Sequence, residues 1–142
     1  MKIELILLNI LTHQYRLFLK TQSYHWNVEG VNFISLHEKF EEHYKELLEL
    51  IDTTAEHTRA LGFKVPNVLS LFLTDSKMNE SNETFTASEM LHDLIQSHQT
   101  MEDILMDANK AVEELGDPII CDFFVDCLTF HRKARWILRS CI

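Results

Sequence analysis

Five side chains in this sequence are spaced to hold a metal cation. His37 and Glu41 stand four residues apart, as do Asp52 and Glu56. Residues four apart share one face of a helix. Imidazole with carboxylate is a donor set that suits ferrous iron, manganese or zinc. The same spacing also occurs on ordinary solvated helix faces, so it decides nothing alone. Distance constrains more. His37 and Asp52 are 15 residues apart, about 22 Å along a helix rising about 1.5 Å per residue. One chain cannot bring both to one ion. Two copies of the helix can, if they run antiparallel across a two-fold axis. His37 and Glu41 of one chain then face Asp52 and Glu56 of its partner, and symmetry creates two equivalent sites. His25 precedes a short predicted turn and returns toward His37 of its own chain. The single Glu-x-x-His match, Glu89 to His92, falls short of the two that an in-bundle di-metal site uses. It reads as a helix-start acid and a surface imidazole.

These residues need helices to position them. Apolar residues at Ile3, Ile6, Leu7, Ile10, Leu11, Phe18 and Leu19 recur mostly at helical steps and predict a first helix from Ile3 to Asn27. Asn27 and Gly30 supply turn chemistry. A second helix is expected from Ser35 to Leu61, with a stripe through Leu36, Phe40, Leu47, Leu50, Ile51 and Ala55, ended by Gly62. The long connection that follows contains Val68–Leu73, too apolar for a solvated loop and read as a short helix. Thr86 and Glu89 form a capping-box pattern. The helix they open carries Leu91, Leu94, Ile95, Met101, Ile104, Leu105, Ala108, Val112 and Leu115, and Gly116 ends it. Asp117-Pro118 then caps and opens a last helix through Phe123, Phe124, Cys127, Leu128, Ile137 and Leu138. Short, long and short connections give an all-α, ferritin-like four-helix bundle with a short helix in the crossover between its second and third helices. Residues 1–142 are expected to form a single domain.

Within these helices, His25-Trp-Asn-Val-Glu-Gly30, Phe33, Leu36-His37-Glu-Lys-Phe-Glu41, Tyr44, Asp52 and Ala55-Glu56 resemble the signature of the Dps family (DNA-binding protein from starved cells), the miniferritins. Gly116-Asp117, Asp122, Trp136 and Arg139 are similar to its last helix. The resemblance implies a hollow dodecamer of four-helix bundles. It implies a ferroxidase that oxidises Fe(II), preferably with hydrogen peroxide, at di-iron sites between subunits, and stores ferric mineral inside. Its iron ligands would be His25, His37 and Glu41 from one subunit with Asp52 and Glu56 from the neighbour, the residues that spacing had already paired. Family members usually carry Asp where Glu41 stands. Glu reaches one methylene further, which bears on the second iron of the pair.

Other residues have plainer readings. Trp26 reads as interface packing, with a redox-active aromatic as the other possibility. His13, His43 and His57 read as structural or surface residues. Asp117, Asp122 and Asp126 are either helix-start acids favoured by the macrodipole or, by resemblance, the lining of three-fold iron-entry pores that focus cations. Arg132, Lys133, Arg135 and Arg139 read as dipole-complementing residues near a helix end rather than a nucleic-acid patch.

Composition narrows the function classes. The chain has 142 residues, with only 3 Gly and 2 Pro, and 46% are hydrophobic. That suits one helical domain and excludes global disorder and turn-rich β architectures. Acidic residues outnumber basic ones 22 to 13, for a net charge of -9, which suits cations and argues against general nucleic-acid binding. The alternative, a DNA-binding nucleoid protector with a secondary metal role, would want a Lys/Arg-rich tail. The helical pattern here begins almost at Met1, so DNA binding is expected to be weak. Cys121, Cys127 and Cys141 match no zinc pattern and read as reduced thiols in a cytoplasmic protein. No apolar run reaches 18 residues, so no membrane span is expected.

Overall fold

The computed structural model describes residues 2–71 and 84–142. Its helices are α1 (Ile3–Asn27), α2 (Phe33–Ala60), α3 (Val68–Leu71), α4 (Ala87–Leu115) and α5 (Pro118–Arg139), with no strand among the described residues. α1 packs chiefly on α2 and α4 on α5, making two hairpins. The α1–α4 and α2–α5 contacts join them. A crossover between α2 and α4 carries α3, as the connection lengths required. α3 covers the start of the expected short helix; residues 72 and 73 of that expectation lie outside the described residues.

The helix ends follow local chemistry. Thr86 accepts a hydrogen bond from the Glu89 backbone while Glu89 reaches back to the Thr86 backbone, completing the capping box. Asp117 accepts from the backbone N–H groups of Ile119 and Ile120, both at 3.1 Å, with Pro118 in the first turn. Gly116 closes α4 at φ 77°, a left-handed conformation that costs a residue without Cβ little.

Leu7, Ile10 and Leu17 from α1, Phe40 and Leu47 from α2, Leu94, Met101 and Leu105 from α4, and Phe124 and Leu138 from α5 are almost wholly removed from water. Two expected stripes drift. Leu19 is exposed, because the buried line of α1 continues through Leu17, Thr21 and His25, steps of four that keep one face. Leu115, in the last turn of α4, is also exposed, since the bundle core has ended there.

Candidate metal centre

α1 ends at Asn27 and α2 begins at Phe33, so the turn between them is tight. Gly30 takes φ 117° within it, and Val28 is buried against the core. That turn brings His25 and His37 face to face. Their rings stack with centroids 3.9 Å apart and planes 14° from parallel. The Nδ1 of His25 lies 2.7 Å from the carbonyl oxygen of His37, and the Nδ1 of His37 lies 2.7 Å from the carbonyl oxygen of His25. A carbonyl only accepts, so each Nδ1 must carry the proton and donate. In the neutral rings both Nε2 atoms then keep their lone pairs, the state in which imidazole ligates a metal. Tyr44 meets the His25 ring edge-on at 5.3 Å, and Phe33 lies 5.0 Å from that of His37. The pair is held by its own backbone and by aromatic neighbours.

Glu41 lies one turn beyond His37 on α2. Its carboxylate pairs with Lys45 at 2.8 Å. Lys45 holds it below the usual carboxylate range, with smaller effects in the same direction from His25 and His37. His25, His37 and Glu41 thus form one neighbourhood. Asp52 and Glu56 do not join it: both are exposed on the other half of α2. Asp52 lines a groove of about 420 Å³ with Leu11, Tyr15, Leu48, Ile51 and Ala55. Among the described residues, no group of three or more His, Cys, Asp or Glu could hold a metal within one chain. Either half of the five-residue set is too small alone.

Glu89 is occupied in its capping box, and the exposed His92 donates from Nδ1 to the Ser88 carbonyl at 2.8 Å, so this pair is a helix-start acid and a surface imidazole. His13 is buried, with Nδ1 2.8 Å from the Asn9 carbonyl. His57 is half-buried beside Phe123. Asp117 is committed to capping α5. With Glu113 and Asp122 it also lines a groove of about 600 Å³, while Asp126 is exposed on the next turn. Trp26 is 64% exposed, and Val31 and Ile34 near it are exposed too.

One expectation is corrected. Arg135 does not serve the end of its own helix. It grips the buried Glu102 of α4 through two hydrogen bonds of 2.6 and 3.0 Å, with Arg132 at 3.7 Å. A buried carboxylate must be paired, and the planar guanidinium does this bidentately. The reading of single residues also missed His98 and His131. They are fully buried, with Nδ1 atoms 2.9 Å apart, and His43 stands beside them. The signal was present: Leu94, His98, Met101 and Leu105 keep helical steps, as do Phe124, Cys127, His131, Ala134 and Leu138.

Comparison with known proteins agrees with this architecture. The ferritin-like domain family matches residues 5–142. DNA protection during starvation protein 2 of Bacillus anthracis is 32% identical over 124 residues, spanning 87% of this chain and 85% of that one. Dps from Staphylococcus aureus superposes with a TM-score of 0.91 at 28% identity, covering 97% of this chain and 93% of that one. A TM-score of 0.91 is also found for the Dps protein of Vibrio cholerae, a member of a broad superfamily of ferritin-like diiron-carboxylate proteins. It is 26% identical, with 98% of this chain and 87% of that one covered. A family model that spans nearly the whole chain, joined to Dps relatives in both sequence and structure, places this chain in the ferritin-like domain family and, within it, among the Dps miniferritins.

Proposed function

We propose that this chain is a ferroxidase and iron-storage miniferritin. Twelve copies would form a hollow shell that oxidises Fe(II) with hydrogen peroxide at sites shared between subunits, stores the ferric product inside and so limits oxidative damage. The observation that carries this reading is the locked His25–His37 pair, with two Nε2 lone pairs beside Glu41 and, among the described residues of one chain, no group of three or more His, Cys, Asp or Glu placed to hold a metal. Asp52 and Glu56 of a partner subunit supply what is missing. The diiron-carboxylate character of the Vibrio cholerae relative supports the choice of iron.

The roles of the side chains follow. His25 and His37 hold ferrous iron through neutral nitrogens, and the carboxylates of Glu41, Asp52 and Glu56 favour the harder ferric product. Two irons held side by side can give one electron each to a single peroxide, which with two protons becomes two waters. A one-electron route, with release of hydroxyl radical, is thereby avoided. Asp117, Asp122 and Asp126 would line the entry pores, where carboxylates gather cations. Exposed Trp26, Val31 and Ile34 would be covered by neighbouring subunits.

The Bacillus anthracis relative is named for DNA protection. We place that protection in the chemistry rather than in DNA contact, since the chain has a net charge of -9 and Arg135 is committed to Glu102. Free Cys121, Cys127 and Cys141 suit a reducing, cytoplasmic setting.

Anaerobic ferrous titration followed by peroxide or oxygen tests the reading. Saturable binding at two irons per site, oxidised faster by peroxide, is expected. A stable 16.7 kDa monomer by light scattering, or iron oxidation no faster than in buffer, overturns it. Plasmid retention in a gel shift at physiological salt would revive the DNA reading.

A further inference from the structure

One face of α2 carries His37, Glu41, Lys45, Leu48, Asp52 and Glu56, at steps of four, four, three, four and four residues. Lys45 is the only fixed cation in that row, and its ammonium sits 2.8 Å from Glu41 Oε1. A two-fold that sets Glu41 opposite Asp52 of the partner subunit also sets His37 opposite the partner's Glu56. Lys45 then falls one turn from the level of the shared site, about 6 Å along the axis. That is within the reach of a lysine side chain toward both Glu41 and Asp52 of the partner subunit. Without metal, these two carboxylates would repel across the interface.

We propose that Lys45 is the built-in counter-ion of the empty shared site and sets the affinity of its second metal. This inference rests on the shared-site reading. The ammonium bridges the carboxylate side of the site, while the two imidazole Nε2 atoms stay open. The first divalent cation enters on the histidine side without meeting Lys45. The second must displace an ammonium that already neutralises its ligands, so it binds more weakly. Glu41 suits this exchange: its extra methylene relative to Asp lets the carboxylate turn either to Lys45 or into the site.

Anaerobic Co(II) titration, followed by visible absorption and calorimetry, reads the two binding steps without any redox chemistry. In the assembled protein, one tight and one weaker Co(II) per site are expected. Lys45→Met should tighten the second step by about fivefold, the upper range for release of an exposed ion pair, and leave the first unchanged. Lys45→Arg keeps the charge and should keep the second step weak. Lys45→Gln provides a second neutral variant if Lys45→Met fails to assemble. A second-step affinity within twofold of wild type in both neutral variants overturns the counter-ion role, as does an equal shift in Lys45→Arg. Co(II) binding that Asp52→Ala leaves untouched overturns the shared site itself, and the counter-ion with it.

Discussion

Two groups of histidines lie in this bundle, and they are built on opposite principles. His25 and His37 spend their Nδ1 atoms on main-chain carbonyls and leave both Nε2 atoms with lone pairs. His98 and His131 spend their Nδ1 atoms on each other at 2.9 Å, so one ring donates and the other accepts. Their Nε2 atoms, and Nδ1 of the neighbouring His43, are buried with no hydrogen-bond partner among the described residues. The nearest acid on α4, Glu102, sits one turn from His98 but is taken by Arg135. Burial therefore drives this inner group toward the neutral form. It lowers His43 to about 4 and His131 to about 3, and His98 falls well below its usual range. A count of histidines would rank the inner group first. On the proposed reading, what separates ligand from core is what the other ring nitrogen does and whether a solvent-accessible carboxylate stands nearby.

The largest test of this contrast lies at the outer pair. On the shared-site reading, His37→Ala and Asp52→Ala each remove a ligand from opposite halves of one site and should each abolish most peroxide-driven iron oxidation in an intact cage. A cage mixed from the two variants should recover part of the activity, since an interface between unlike chains keeps one complete site. Mixing His25→Ala with His37→Ala should recover none. Absence of recovery in the first mixture, despite proven subunit exchange, would relocate the metal to a single bundle.

Removal of Arg135 comes next. Arg135→Leu leaves the buried Glu102 with only the 3.7 Å contact to exposed Arg132 and should lower unfolding stability by about 3 kcal/mol, measured by urea denaturation at neutral pH. If Glu102→Gln on the same background restores none of that loss, the pair does not matter as described.

The inner histidines also predict a pH dependence. Their folded-state values are depressed below about 6.5, so the unfolded chain takes up protons first as pH falls. Stability should hold above pH 7 and decline from about pH 6.5 toward pH 4. His43 alone contributes a loss on the order of 3 kcal/mol across that window. Urea midpoints against pH would show the slope, and His43→Leu should flatten part of it. A flat wild-type profile between pH 7 and 5 would contradict the neutral core.

The smallest effect concerns the path to the outer site. Asp122→Asn with Asp126→Asn should slow iron uptake a few-fold at low salt and less at high salt, with the cage intact. Equal uptake rates at low salt would mark these acids as ordinary surface residues.

The parts of this molecule legible in its sequence are those settled within about a dozen residues. The Thr86–Glu89 box, the Asp117-Pro118 start and the Gly116 stop each depend on neighbours in sequence, and each forms. His25 and His37 are 12 apart across a tight turn, and they stack. The Glu102–Arg135 pair and the His98–His131 contact each join residues 33 apart on different helices. Helical steps put His98 and His131 on the core face, but only packing of α4 on α5 says what each one meets. Leu19 shows the same limit on a smaller scale: it stands two residues past the buried Leu17, about 200° around the helix, and so faces away from the core. Asp52 and Glu56 lie on the other half of α2 from His37, and on the proposed reading their role needs a second copy of the chain.

The two carbonyl bonds of the His25–His37 pair also tie ligand affinity to folding. The lone-pair geometry exists only while the α1–α2 hairpin is closed. Any cation held by both Nε2 atoms favours that closed state over the open one, and by linkage it protects the hairpin to the same degree that the hairpin improves its binding. Ferrous iron would then act on the shell as a stabilising ligand before it is ever a substrate. Newly made, unpaired chains would compete poorly for scarce metal, and saturated shells would resist opening at the turn where α1 meets α2.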